Sequence, residues 1–350
     1  MYSINVISDR CLRIAFKNSN CDICEKACRF GAVKVSENRV EIDSSRCVSC
    51  YECVGACPTE VFDIGLDKIL SRLLSSSNRE LYISCSLDAL RESRERRDAD
   101  QMNICINALR LEHYLVLIDK YEKIRVLINC DECELRGRGI DLLRRLVKEV
   151  SKHQSLRDKI MIHKTRVSSE IYVKRSYFKK LAESTLDLVV SSSLPMRVIR
   201  DLVNPRNNRE KNSGLGREIK IDPVYRIRAS EISRKIGVKI LSRIPRLDPS
   251  KCSLCEICSR TCPSEAIIID PVRGLFVING SRCLECNLCA DLCPEKAIEL
   301  EDRDLDTVSV YIVDTKICEK CGMRYPARYN ECPYCSKLQN LVKDFERNLL

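Results

Sequence analysis

The sequence predicts an α+β fold divided among several domains, and three observations predict it. Its 350 residues exceed what one core usually serves. Its 24 cysteines fall in tight runs toward both ends, with four more between. Between the runs, short strand patterns alternate with helical ones, and one long stretch has no cysteine. These features divide the chain at 1–66, 67–165, 166–248, 249–302 and 303–350.

The fourth division carries the clearest motif. "CSLCEICSRTCP" supplies Cys252, Cys255, Cys258, Cys262 and Pro263; "CLECNLCADLCP" supplies Cys283, Cys286, Cys289, Cys293 and Pro294. Both are complete C-x2-C-x2-C-x3-C-P runs, 31 residues apart. The connecting "AIIIDPVRGLFVING" reads as two strands around a turn at Asp270–Gly274. This segment resembles a two-cluster bacterial ferredoxin. Three cysteines three apart can wrap one face of a cubane, with loop N–H groups aimed at its sulfur. Proline after the fourth cysteine redirects the chain. The resemblance implies two [4Fe–4S] clusters that exchange their fourth ligands. Site 3 would take Cys252, Cys255, Cys258 and Cys293; site 4 would take Cys262, Cys283, Cys286 and Cys289.

The first division repeats this with a defect. "CVSCYECVGACP" gives Cys47, Cys50, Cys53, Cys57 and Pro58, preceded by a hairpin that turns at Glu37–Asn38. Upstream, "KNSNCDICEKACRF" offers Cys21, Cys24 and Cys28, but Asn18 stands where the first cysteine belongs and Arg29 where the proline does. By the same resemblance, site 2 takes Cys28, Cys47, Cys50 and Cys53. Site 1 then has Cys21, Cys24 and Cys57 and lacks a thiolate. Cys11 is the unassigned cysteine nearby, and we expect it to be the displaced first ligand. "CLRIAF" alternates Leu12, Ile14 and Phe16 against Cys11, Arg13 and Ala15, which reads as a strand followed by a polar turn. The competing readings are a buried core cysteine or a cluster with an open iron site.

In 67–165 the pattern is strand 81–86, strand 102–106, helix 107–120, strand 123–130 and helix 140–153, a small α/β domain. Cys85, Cys105, Cys130 and Cys133 fall at or just beyond strand C-termini, the ligand-binding edge of open α/β sheets. Cys130-x2-Cys133, then Gly137 and a helix, resembles the iron–sulfur subunit that links hydrogenase to heterodisulfide reductase. That resemblance implies a [2Fe–2S] cluster. Read from the residues alone, the four could hold a fifth iron–sulfur cluster or zinc, act as a redox dithiol or fill a core.

Residues 166–248 read as a helical linker, with helices at "RSYFKKLAESTLDLV" and "IRASEISRKIGVKIL". The last division places Cys318, Cys321, Cys332 and Cys335 on two C-x2-C knuckles, and resembles a zinc ribbon. An amphipathic helix with Leu338, Leu341, Val342 and Phe345 on one face follows it.

Dense C-x2-C runs indicate metal thiolates in a reducing, cytoplasmic setting. The first residues lack the pattern of a secretory signal, and no apolar run of about 18 residues suggests a membrane span. The formal net charge of +10 counts every cysteine as neutral. Each cubane with four thiolates carries about −2, as does a four-cysteine zinc site, so the loaded chain is near neutral. Nucleic acid is therefore not an expected partner, although a nucleic-acid-associated or redox-sensing role is a second alternative. No flavin or nicotinamide fingerprint is present. The reading is an electron-transfer polyferredoxin-like relay or subunit with four [4Fe–4S] clusters, zinc and a candidate [2Fe–2S] site. Resemblance to multi-cluster ferredoxins points to ferredoxin, hydrogenase, heterodisulfide-reductase-like or molybdenum-enzyme partners in anaerobic metabolism. The alternative is a redox enzyme working through the middle cysteines.

Overall fold

The computed structural model describes residues 3–85, 99–128, 137–164, 219–336 and 338–339. Helix and strand are mixed throughout, as expected. The N-terminal unit begins with β1 (Asn5–Val6), a 3-10 turn (Ser8–Arg10) and the short helix α1 (Leu12–Ala15). It continues through α2 (Ile23–Ala27), the hairpin β2 (Val33–Val35) and β3 (Val40–Ile42), and α3 (Glu52–Ala56). It closes with β4 (Phe62–Asp63), antiparallel to β1.

The strand expected over 11–16 is instead a helical turn. The Ala15 N–H bonds the Cys11 carbonyl at 3.0 Å. Leu12 and Ala15, three apart, are the buried residues of that turn. Arg13 turns outward to an ion pair with Glu25 at 2.7 Å. Six residues of alternation carry too little information to separate period 2 from period 3.6.

The middle unit opens with α4 (Leu66–Ser75), then β5 (Glu80–Ser84) and β6 (Ala99–Asn103). α5 (Leu111–Lys120), β7 (Lys123–Ile128), α6 (Arg138–Val150) and β8 (Ile160–Lys164) complete it. The strands form a parallel sheet in the order β6-β5-β7-β8. Leu81, Ile83, Ile124 and Val126 are fully buried at its centre. Its strands end earlier than the sequence suggests, which leaves Cys85 and Cys105 just past two neighbouring C-terminal ends.

The stretch read as a helical linker is not a separate element where it is described. "RSYFKKLAESTLDLV" lies outside the described residues. α7 (Val224–Ile236) packs on α5, where His113 and Tyr225 meet edge to face at 5.3 Å and Lys235 pairs with Asp119 at 3.2 Å. β9 (Leu241–Leu247) then pairs along its whole length with β12 (Ile298–Asp304). A strand from the stretch read as linker is thereby hydrogen-bonded to the C-terminal ferredoxin-like unit. Sequence reading missed β9 because its partner is a strand more than fifty residues on.

Between β9 and β12 lie α8 (Ile257–Arg260), β10 (Ile267–Asp270), β11 (Leu275–Asn279) and α9 (Leu288–Asp291). β13 (Val308–Ile312) joins the outer edge of β11. A final hairpin, β14 (Thr315–Ile317) with β15 (Arg324–Pro326), carries the knuckles. The amphipathic helix expected beyond it falls almost wholly outside the described residues. Among the described residues no helix is long and apolar enough to cross a membrane.

Candidate metal centres

Each complete motif folds into the same loop. Among the described residues, the non-glycine residues with left-handed backbone are Ser49, Tyr51 and Glu60; Leu254, Glu256 and Glu265; Glu285, Asn287 and Lys296. Three fall in each run, at matching positions. Such residues cost on the order of 1 kcal/mol each outside glycine, so their recurrence marks a loop held for a purpose. The defective run keeps the third of these positions with Gly31, at φ +59°.

That third position aims a backbone donor. The next residue sends its N–H to the sulfur of the fourth cysteine in all four runs. Ala32 donates to Cys28 Sγ at 3.2 Å, Val61 to Cys57 at 3.5 Å, Ala266 to Cys262 at 3.3 Å and Ala297 to Cys293 at 3.3 Å. Arg29 therefore does not need to be proline; Gly31 makes the turn.

Cys11 has the backbone of a first cysteine. It follows a 3-10 turn with φ −78° and ψ 121°, and its N–H bonds the Ser8 carbonyl. Cys283 follows a 3-10 turn with φ −71° and ψ 121°, and bonds the Gly280 carbonyl. Cys11 also lies five residues beyond the end of β1, as Cys252 lies five beyond the end of β9. Measured from Cys11, the N-terminal run has seven more residues between its first two cysteines than the complete runs have.

The structure brings the candidate ligands together in four groups. Burial raises the Cys11 thiol, and the neighbouring charge of Cys57 raises it further, while the N–H groups of Ile14 and Arg13 oppose this. Burial, then Cys57, Cys21 and Cys11, pushes Cys24 up to about 12. Burial raises Cys53, beside Cys50, Cys47 and Cys28. Burial pushes Cys258 up to about 12, beside Cys255, Cys252 and Cys293. Burial pushes Cys286 to about 12, beside Cys283 and Cys262.

This chemistry fits a bound cation. Sulfurs gathered out of water resist ionisation when no positive charge is present to offset them. An iron–sulfur core supplies that charge, and binding would release the thiol protons. Backbone N–H groups are already directed at the sulfurs, so the donor set matches a cubane in both charge and hydrogen bonding.

The four C-terminal knuckle sulfurs lie within 4.8 Å of one another, close enough to share one metal ion. Gly322, at φ +72°, closes the first knuckle by donating to the Cys318 carbonyl at 2.8 Å. The hairpin is tied to the site 3–site 4 unit by Glu295, which accepts from Arg328 at 2.9 Å and from Tyr329 Oη at 3.0 Å.

Of the middle cysteines, Cys85 and Cys105 sit at the sheet's C-terminal edge, while Cys130 and Cys133 lie outside the described residues. That edge packs on α3. Gly55, between Cys53 and Cys57, touches Asn107, and a Cβ there would come within 2.1 Å of the Asn107 carbonyl. Buried Glu52 accepts the Arg138 N–H at 2.6 Å, and Arg110 donates to the Cys57 carbonyl. A cleft of about 930 Å3 opens where the three units meet. Arg110, Arg138 and Arg226 line it; Arg226 pairs with Glu285 at 3.0 Å.

Comparisons with known proteins agree with this geometry. A 4Fe-4S dicluster domain model matches residues 19–61, and another matches 251–298. The chain is 41% identical over 44 residues to a component of the ion-translocating oxidoreductase complex of Methanosarcina acetivorans. That match covers 13% of this chain and spans only 17% of the relative's length. The chain carries two 4Fe–4S dicluster domains, the equipment of iron–sulfur electron transfer.

Proposed function

We propose that the chain is a polyferredoxin-like relay or subunit that passes single electrons between a low-potential donor and a redox enzyme. The carrying observation is the gathering of sixteen cysteines, most of them buried or half-buried, on loops that repeat one geometry in the three complete runs. Site 1 is assigned to Cys11, Cys21, Cys24 and Cys57, and site 2 to Cys28, Cys47, Cys50 and Cys53. Site 3 is Cys252, Cys255, Cys258 and Cys293; site 4 is Cys262, Cys283, Cys286 and Cys289. A [4Fe–4S] cluster supplies one-electron chemistry when bound. The protein's part is to hold it by thiolates, donate N–H groups to sulfur and exclude water, which together set its potential. The similarity to a component of an oxidoreductase complex supports a role beside a larger redox partner.

Zinc is assigned to Cys318, Cys321, Cys332 and Cys335, since a compact four-sulfur set favours it. A [2Fe–2S] cluster at the middle cysteines is a secondary reading, supported by the position of Cys85 and Cys105 on one sheet edge. Metal analysis with EPR on anaerobically purified protein tests the assignment. About 16 iron and one zinc are expected, with two more iron if the middle site is loaded. Protein that reconstitutes with fewer than about 8 iron would sink the relay reading.

A further inference from the structure

The seven extra residues of the N-terminal run have a use that the cluster motif does not require. They include α1 and the turn to Asn20. Leu12 and Ala15 of α1 are buried in one apolar cluster with Leu288, Ile219 and Ile221, and Phe16, Leu284 and Leu292 pack against it. Leu288 lies between Cys286 and Cys289. Cys21 and Cys286, one from each ferredoxin-like unit, both pack against this same cluster. Asn20 adds a polar tie: its N–H donates to the Asp291 carboxylate at 3.0 Å. The insert is therefore the contact surface between site 1 and site 4.

The other junctions lie inside each unit. Cys24 of site 1 and Cys53 of site 2 share one core with Cys57. Cys289 of site 4 shares another with Cys252 and Cys258 of site 3. Resting on the relay reading above, we infer that the four sites form one unbranched conduit in the order 2–1–4–3. The segment Leu12–Asn20 couples the two ferredoxin-like units into it. The chain is then a single conductor with its ends at sites 2 and 3, not two independent two-cluster ferredoxins. Cys255, at the site 3 end, is an exposed cysteine, whereas Cys21 and Cys286 at the central junction are partly covered.

Two measurements on the full-length protein test this. The first is EPR of the fully reduced, four-cluster protein, wild type against Leu12→Asp/Ala15→Asp. We expect unchanged iron content and loss of the magnetic interaction between the two units in the variant. A wild-type spectrum equal to the sum of two separate two-cluster units would overturn the inference. The second is amide hydrogen exchange at Asn20 in wild type and Asp291→Ala. Removing the acceptor should speed exchange at Asn20 by about tenfold, with iron content unchanged. Equal exchange in both proteins would also overturn it. A shortfall in iron in the wild-type protein bears on the relay reading instead. Because Cys21 and Cys286 pack against Leu12 and Ala15, iron loss confined to the double variant leaves the decision to the wild-type spectrum and to the Asp291→Ala exchange.

Discussion

The backbone N–H of Asn20 is held by the carboxylate of Asp291, 271 positions away, at 3.0 Å. One turn of the irregular cysteine run is thereby fastened to the helix of a complete one. The irregularity follows from this contact. A three-residue spacing between Cys11 and Cys21 would leave no room for Leu12 and Ala15, and those residues fill the junction.

Cys11→Ser should lower iron from about 16 to about 12 per chain, or convert one cluster, and leave the other three unchanged. Iron analysis with EPR reads this. Unaltered iron and spectra would return Cys11 to the role of a buried core residue.

Gly55→Ala should destabilise the contact between α3 and the middle unit. The added Cβ would lie 2.1 Å from the Asn107 carbonyl oxygen and 2.8 Å from an Arg138 nitrogen. Overpacking against backbone costs about 1–3 kcal/mol. The midpoint of denaturant unfolding should fall accordingly.

His113 predicts an acid limb in stability. Burial holds its pKa down at about 4, and its Nδ1 accepts the Arg110 N–H at 3.2 Å. The unfolded chain takes up a proton near pH 6.5, while the folded chain resists until about 4. Folding therefore loses stability as pH falls from 6.5 toward 4, by about 2 kcal/mol at pH 5. Unfolding curves at pH 7 and pH 5 should show this, and His113→Gln should flatten it.

Cys332→Ser should abolish metal binding at the C-terminal knuckles while preserving the cubane EPR signals. Four sulfurs within 4.8 Å leave no spare ligand for the ion. The hairpin β14–β15 should then lose protection from hydrogen exchange, since a small metal-bound unit draws its folding energy from the metal.

Much of the candidate site was legible because cysteine spacing is local. Three complete runs define their own loops, and the spare Cys57 requires a partner set upstream. The helical turn at Leu12–Ala15 was not legible, because a six-residue apolar alternation fits either period. Nor were the left-handed residues: Glu256, Glu265 and Glu285 are not types that favour that region, and only the loop's demands place them there. β9 was missed because Leu241–Leu247, with Pro245 in its middle, becomes a strand through pairing with a distant segment.

The sequence by itself determined the inventory: two dicluster motifs, their thiols, and the paired knuckles. These depend on residues within a few positions of one another, where chain geometry leaves little choice. Only the tertiary structure decided that α7 and β9 belong to the packed body and that Cys21 and Cys286 face a common junction. The junction joins segments more than 200 residues apart. It arises from burying Leu12 and Ala15 against Leu288, and no local pattern encodes which distant apolar surface will cover them.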